Sequence, residues 1–394
     1  MPKVAAGTGT KPDWQYFFLK SFLDKPRIKA IKKTKLSINK MDLKKRINAF
    51  LKLGETLNQF TSEKDNELNP SLHNFIEEKI EKAVYENSWF TRDDIISAFK
   101  GISGMLEKEK TEAWIDAYPN FKKQVENPQT IGVVNAGNIP LVGFHDFLCT
   151  LISGNKYLGK LSSKDKVLLP ALKDILIDFE PEFAKYIRFE ENQLRGFDAI
   201  IATGSDNTAR YFHYYFGKYP NIIRKNRNGV AVIPENYNEE ELKKLADDIF
   251  IYYGLGCRNV SKLFLPENFE INRFFENIEH YYDKLINHHK YANNYNYHKS
   301  IYLMNKVPHL DNGFALLKED ESFTSPISTI FYETYRGIDH VKEKLAFHSE
   351  EIQCVVSYPE TIKNAVPFGK AQFPELWDYA DNIDTLNFLI SLKE

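Results

Sequence analysis

The sequence predicts an α/β protein built on parallel sheets and divided between two domains, and three observations carry that expectation. After residue 129, short β-branched runs alternate with amphipathic stretches of helical period. Strands separated by helices of that length imply right-handed β-α-β crossovers and therefore parallel pairing. The 394 residues, 43% apolar and 27% charged, are enough chain for two cores rather than one.

From Met41 to about Lys123 the apolar positions recur close to the helical period, as in Ile47, Phe50, Leu51 and Leu57, then Phe75, Ile76, Ile80 and Val84. This predicts a helical lead-in. Strand then alternates with helix: Thr130 to Asn135 with Leu141 to Ser153, Lys156 to Lys160 with Lys166 to Ile177, Ala199 to Ala202 with Asp206 to Phe216. In such sheets ligands bind at the carboxyl ends of the strands, where the turns carry the chemistry. A second α/β stretch starts near Val230 and holds a helix from Glu239 to Tyr253, a strand from Lys262 to Leu265 and further strands to about Ser357. The expected division is a lead-in with the first α/β domain over 41–229, the second domain over 230–360, and an aromatic, acidic tail over 361–394 that packs back on the first. Residues 1–40 carry far more Lys and Arg than acid, including Lys29, Lys32, Lys33 and Lys35. They read as a flexible extension or a start-site artefact rather than a nucleic-acid arm.

Composition excludes several classes. No run of roughly 18 or more apolar residues occurs, and the first thirty residues lack the order of a secretory signal. A cytoplasmic protein with no membrane span is expected. The net charge of −2 gives no reason to expect a nucleic-acid partner. Cys149, Cys257 and Cys354 are too few and too scattered for a disulfide framework or a closed zinc site, so any cysteine function belongs to a free thiol. His288, His289 and His298 lie in an Asn- and Tyr-rich stretch without a partner cysteine or an HExxH spacing, and no metal site is expected there.

Three turns have the residue types for chemistry. Thr203-Gly204-Ser205-Asp206 follows a strand and opens a helix, which makes it either a phosphate cradle of free backbone N–H groups or an ordinary capped βα turn. Lys160-Leu161-Ser162-Ser163-Lys164-Asp165 also follows a strand, and Lys160 is either a ligand for a ribose hydroxyl or phosphate or a solvated lysine. No GxGxxG fingerprint is present. Cys257 lies in Gly254-Leu255-Gly256-Cys257-Arg258-Asn259, a Gly-rich turn open to substrate, where nearby positive charge or backbone dipoles favour the nucleophilic thiolate. Cys149 and Cys354 sit in helical and strand-like runs and read as buried, inert thiols. His145 reads as a core or capping histidine rather than a base.

Taken together, these turns resemble those of the aldehyde dehydrogenase superfamily, most closely its luciferase-operon fatty acyl-CoA reductase (LuxC) branch, over most of the chain after Met41. Val134-Asn135-Ala136-Gly137-Asn138-Ile139-Pro140 is similar to the superfamily's Asn-x-Pro turn, which implies that the Asn138 amide helps form an oxyanion hole. Gly154-Asn155-Lys156 followed by Lys160-Leu161-Ser162-Ser163 resembles the cofactor turn, Thr203-Gly204-Ser205 the phosphate turn, and Gly254-x-x-Cys257 the nucleophile turn. The implied fold is aldehyde dehydrogenase-like: a Rossmann-type parallel-sheet domain that binds the dinucleotide and an α/β catalytic domain that carries Cys257.

Three departures narrow what the resemblance implies. Acid-forming aldehyde dehydrogenases place a general-base glutamate upstream of the cysteine, whereas Asn221 to Pro234 holds Arg224, Lys225 and Arg227 and no carboxylate. Without a base to activate water an acyl-enzyme waits for a thiol or a hydride, which implies an acyl-CoA reductase. Ser163 stands where NAD-preferring members carry a glutamate for the ribose 2′-OH, and Lys160 or Lys164 would pair with a 2′-phosphate, which implies NADPH. Glu321-Ser322-Phe323-Thr324-Ser325-Pro326-Ile327 is similar to the Glu-x-Phe-Gly-Pro cofactor loop but one residue longer, and it makes Glu321 the candidate for the nicotinamide ribose. The implied substrate is a fatty acyl-CoA or acyl-carrier thioester, and the implied partners are an acyl-transferring protein and further copies of the chain in a homo-oligomer. The competing readings are an aldehyde dehydrogenase producing acid and a non-catalytic acyl-binding subunit.

Overall fold

The computed structural model describes residues 41–62, 68–122, 125 and 127–392, so the basic segment 1–40 lies outside the described residues. The lead-in is helical, as its period predicts: α1 Leu43–Thr61, α2 Pro70–Glu86, α3 Arg92–Met105 and α4 Lys108–Asp116. Local chemistry sets the starts. Asp42, Asn69 and Thr91 cap α1, α2 and α3 through side-chain oxygens that accept backbone N–H groups, and Pro70 occupies the first turn of α2. α1 packs on the next layer through Phe50, whose ring meets Phe144, Phe147 and Phe183 edge-on at centroid distances of 6.5, 6.3 and 5.9 Å.

Five parallel strands form the first sheet: β1 Thr130–Val134, β2 Lys156–Lys160, β3 Ile187–Glu190, β4 Ala199–Thr203 and β5 Asn221–Arg224, in spatial order β3-β2-β1-β4-β5. Helices α5 Phe144–Ile152, α6 Leu168–Phe179 and α7 Asp206–Phe216 make the crossovers. β1, β2 and β4 are buried along their centres, as parallel strands covered by helices on both faces must be. Val134 ends β1 with Lys160 on one side and Ala202 on the other, which brings three carboxyl ends together.

The second sheet has six strands: β6 Asn228–Val232, β7 Val260–Pro266, β8 Leu310–Asp311, β9 Leu316–Glu319, β10 Thr329–Tyr335 and β11 Ile352–Val356. Their order is β11-β6-β7-β10-β9-β8, parallel except for the β8–β9 pair. Its helices are α8 Glu239–Phe250, α9 Ile271–Ile278, α10 Tyr282–Ile286, α11 His289–Met304 and α12 Ile338–Phe347. The chain after residue 366 serves both cores. Phe368 and Ala371 are buried against the second sheet, whereas Leu376 and Tyr379, with Leu386 and Leu389 of α13 Thr385–Ser391, are buried in the first.

Two helices beside the site depart from the expected bounds, and α6 is shifted to Leu168–Phe179 from the expected Lys166 to Ile177. α5 begins at Phe144 rather than Leu141, because Leu141 adopts a left-handed backbone (φ 56°) and the chain turns before the helix can start. α8 ends at Phe250 rather than Tyr253, because Tyr252 and Tyr253 are both left-handed (φ 58°) and Gly254 follows at φ 75°.

Replacing Phe50 by Ala removes the ring that joins α1 to α5. Chemical denaturation of Phe50→Ala should show a loss of about 3–5 kcal/mol, the usual range for emptying such a site.

Candidate active site

The sheet order creates a crevice before any side chain is considered. From β1 the chain runs outward through β2 to β3, then returns to β4 on the other side of β1 and continues to β5. The β1/β4 gap is thus the point where the order reverses and where open parallel sheets bind ligands. The turn after β1 carries Asn138, Lys160 ends β2 with Ser162 and Ser163 in the turn beyond it, and Thr203 ends β4 with Gly204 and Ser205 following.

These turns are stitched to one another. The backbone N–H and side-chain amide of Asn135 both donate to the Lys160 carbonyl, at 3.0 and 3.2 Å. Gly137 has to be glycine, since a Cβ there would stand 2.5 Å from the Ser162 hydroxyl oxygen. Asp165 accepts from the backbone N–H of Leu141 (3.2 Å) and of Leu168 (3.3 Å), which holds the left-handed Leu141 turn against the β2 turn. Burial pushes the Asp165 carboxyl up, and those backbone donors pull it back. Ser205 caps α7 by accepting from the Thr208 N–H at 3.4 Å. Lys160 and Lys164 form no ion pair among the described residues, so both charges are available to an anion.

Cys257 arrives from the second sheet on a turn that Asn259 organises. The buried Asn259 side chain accepts from the Gly256 N–H (2.8 Å) and donates to the carbonyls of Asp248 (3.1 Å), Ile249 (3.1 Å) and Ile251 (2.8 Å). It thereby closes the end of α8 onto the cysteine turn. Beneath them, Gly229 of β6 lies so close that a Cβ would stand 2.6 Å from the Arg258 carbonyl oxygen. Asn138 reaches across from the first sheet and donates to the Leu255 carbonyl at 2.7 Å, two residues before the cysteine. Burial pushes the Cys257 thiol up, Arg258 and Arg224 pull it back toward the thiolate, and Asp381 opposes them.

Cys257 is half-buried and opens on a cavity of about 180 Å³. α3 contributes Ala98, Ile102 and Met105 to its wall, and the turn after β1 contributes Ile139 and Leu141. Its polar side holds Arg224, Asp146, Gln353, Gln372 and Glu375. Asp146 is a buried acid in a mostly apolar helix, and its charge is met by the Arg224 guanidinium at 2.6 Å, which also donates to the Thr385 hydroxyl at 2.8 Å. His145 also lines the cavity, but its Nε2 meets the Leu376 carbonyl at 3.0 Å and burial lowers its pKa, leaving a neutral wall residue. Cys149 and Cys354 are buried, and burial pushes both thiols up, that of Cys354 to about 11.

The strap from Gly369 to Ala371 crosses beside the cysteine turn and is held by two groups. The two carboxyl oxygens of Asp248 accept from the N–H groups of Gly369 (2.7 Å) and Ala371 (2.8 Å), and Arg258 Nε donates to the Ala371 carbonyl at 2.6 Å. Asn259, Asp248 and Gln372 thus surround the cysteine turn, although no motif in the sequence marks them. The loop at 321–327 lies on the other side of the turn, where Ser325, Pro326 and Ile327 share a cavity of about 40 Å³ with Gly254 and Gly256. Glu321 itself is exposed, and no hydrogen bond or ion pair joins it to the cysteine turn among the described residues. His288 caps α11, accepting from the Tyr291 N–H, and stacks on Tyr253 at 4.0 Å. Among the described residues no group of three His, Cys, Asp or Glu side chains is placed to hold a metal, and no helix is long and apolar enough to cross a membrane.

Two parallel sheets with a cysteine turn between them define the aldehyde dehydrogenase fold, and solved structures agree. The chain is similar to aldehyde dehydrogenase 21 from Physcomitrella patens in complex with succinate, at 12% identity over 89% of this chain and 87% of that one, with a TM-score of 0.60. It is similar to the putative aldehyde dehydrogenase PutA of Anabaena variabilis (13% identity, 82% and 81% covered, TM-score 0.54). Staphylococcus aureus AldH in its substrate-bound state gives 15% identity, 83% and 80% covered, and a TM-score of 0.52. Identities this low establish the fold alone. A comparison with curated proteins finds no match. Residues 102–285 match the family described as Acyl-CoA reductase (LuxC), a span that contains the turns of Asn138, Lys160, Thr203 and Cys257 but not Glu321. That span is similar to acyl-CoA reductases and, together with the shared fold, supports an enzyme acting between the acyl and aldehyde oxidation levels.

The Asp248 carboxyl, pushed by burial from 3.8 up to about 7, makes the strap sensitive to pH. Between those values the folded state binds more protons than the unfolded one, so this group's contribution to stability is full below about pH 4 and is lost as pH rises through about 7. Unfolding free energies measured across that window should fall less steeply with pH in Asp248→Asn than in the parent protein.

Proposed function

We propose that the protein reduces an acyl thioester to an aldehyde with NADPH, through an acyl-enzyme on Cys257. The observation that carries this reading is the meeting of two sheets at one thiol: Asn138, from the reversal point of the first sheet, bonds to the turn that presents Cys257 to an apolar-walled cavity. Such a cavity suits the hydrocarbon part of an acyl group.

The donor set fits a phosphorylated dinucleotide. Among the described residues Lys160, at the end of β2, and Lys164, in the turn after it, are unpaired cations, and the eleven-residue helix α7, capped by Ser205, begins directly after β4. Ser163 leaves the 2′ position without an opposing carboxylate. Bound there, the dinucleotide supplies the hydride.

The rest follows from this chain's own groups. Burial raises the Cys257 thiol, Arg258 and Arg224 partly offset it, and the thiolate attacks the thioester carbonyl carbon while the carbonyl π pair moves to oxygen. The second N–H of the Asn138 amide and the backbone N–H of Cys257 are the donors for that oxygen. Expulsion of the CoA thiolate restores the carbonyl and leaves the acyl group on sulfur. After reduction, the thiohemiacetal oxygen re-forms its double bond and expels the Cys257 thiolate. The net reaction consumes one acyl thioester, one NADPH and one proton, and yields aldehyde, thiol and NADP. No carboxylate occurs from Asn221 to Pro234, and Arg224 from that segment enters the cavity already paired with Asp146, which supports reduction over hydrolysis.

One observation favours a second reading. Glu375 lines the same cavity, with one oxygen bonded to Lys110 at 2.8 Å and the other buried without a partner among the described residues. It is the group that would activate water in an acid-forming aldehyde dehydrogenase.

The test is NADPH absorbance with purified protein and acyl-CoAs of increasing length. Oxidation should require acyl-CoA, prefer NADPH to NADH, vanish in Cys257→Ala, and slow by roughly a hundredfold or more in a folded Asn138→Ala. CoA-independent acid formation from aldehydes that is lost in Glu375→Gln would establish the second reading instead.

A further inference from the structure

We propose that Gln372 is a catalytic residue whose side-chain amide donates to the carbonyl oxygen of the acyl group undergoing attack at Cys257. The inference rests on the reading of the site as an acyl-thioester reductase and adds a residue that neither the family turns nor the sequence pattern indicates.

Three observations converge on this residue. First, Gln372 is only 8% exposed, and its amide nitrogen is buried with no hydrogen-bond partner among the described residues. A buried amide donor left unmade is costly, and such groups in a native fold call for a ligand, a water or a catalytic role. Second, Gln372 and Cys257 line the same cavity. The Gln372 amide oxygen stands 3.5 Å from where a Cβ on Gly256 would be, so the amide packs against the residue preceding the nucleophile. Third, the backbone that carries Gln372 is fixed. Asp248 holds the N–H groups of Gly369 and Ala371, Arg258 holds the Ala371 carbonyl, and the Phe373 N–H closes a turn on Lys370 at 3.0 Å.

Fixing a donor before the reaction is what gives it value when charge develops, because no reorganisation is then needed. Asn138 already spends one N–H on the Leu255 carbonyl, so it has a single donor left for the developing oxyanion. Gln372 has both of its N–H groups unpaired among the described residues. Arg258, the neighbour of Cys257, ties the strap to the cysteine turn through its bond to the Ala371 carbonyl.

The experiment compares Gln372→Met and Gln372→Glu with the parent enzyme, each checked for folding by its melting temperature and for cofactor binding by NADPH fluorescence titration. Rapid mixing with acyl-CoA without NADPH follows the release of free CoA thiol, which isolates acylation of Cys257. Gln372→Met keeps the length and removes the donor, and its acylation rate at saturating acyl-CoA should fall tenfold to a hundredfold, on the scale of one lost oxyanion donor, with the half-saturating concentration little changed. Gln372→Glu keeps the shape and places an anion beside the developing oxyanion. It should be slower still at neutral pH and regain rate relative to the parent as the pH falls and the protonated acid becomes a donor. Full acylation rate in a folded Gln372→Met, or losses in both variants that follow the melting temperature with no relative recovery at low pH, overturns the assignment. Absence of CoA release from the parent enzyme itself, with NADPH still bound, overturns the reductase reading on which the assignment rests.

Discussion

The constraint on which the site depends is the one imposed by Asn259. A cysteine turn rich in glycine has little side-chain mass with which to pack, and its backbone groups still need partners. Asn259 supplies them from a single buried amide: its oxygen takes the Gly256 N–H, and its nitrogen bridges three carbonyls at the end of α8. An amide fits this task because it offers donors and an acceptor without a charge that burial would penalise. The left-handed tyrosines belong to the same device. Two consecutive non-glycine residues at φ 58° carry a cost in backbone strain, and burial of both rings with stacking of Tyr253 on His288 compensates for it.

Once that turn is rigid, other elements can be positioned from it. The Leu255 carbonyl becomes a fixed acceptor for Asn138, and so links the reversal point of one sheet to the nucleophile of the other. The Arg258 side chain becomes a fixed donor for the strap at Ala371. Gly229 belongs to the same assembly, since any larger residue would press on the Arg258 and Asn259 carbonyls from beneath. Electrostatics then acts on a thiol whose place is set. Burial alone would keep Cys257 protonated, Arg258 and Arg224 oppose it, and the Asp146–Arg224 pair keeps the second of those cations in the cavity wall.

Much of this was legible in the sequence wherever local chemistry decides. Helix α7 runs from Asp206 to Phe216 as its Ser205 cap and period predict, and β2 spans Lys156–Lys160 as expected, because a Gly-Asn turn precedes it and a Ser-Ser turn follows. The cysteine, the asparagine before Pro140 and the turns after β2 and β4 lie on adjacent strand ends or on the turn that Asn138 reaches. What escaped was whatever gains meaning from a distant segment. The apolar spacing of Ile249, Phe250 and Tyr253 continues a helix that the backbone abandons, and nothing local announces the His288 ring that stabilises the change. Asp248 reads as one more acid on an amphipathic helix until the strap at Gly369 folds onto it. Glu321 is the reverse case: its loop borders the cysteine turn through Ser325 to Ile327, while the glutamate itself is exposed.

The helical lead-in belongs to this argument as well. α3 presents Ala98, Ile102 and Met105 to the cavity on which Cys257 opens, so the segment before the first strand forms part of the site rather than a separate appendage. Its opposite neighbour α1 fixes α3 in place and also anchors α5 through Phe50, and α5 carries both the Asp146 that neutralises Arg224 and the His145 of the cavity wall. The tail closes the same space from the other side, with Leu376 and Tyr379 in the first core and Ala371 in the second. A cavity walled by α3, the β1 turn and the strap has its apolar surface contributed by three segments distant in sequence. Its dimensions are therefore set by packing among elements, and residues of α3 shape it as directly as the turns that carry the reacting groups.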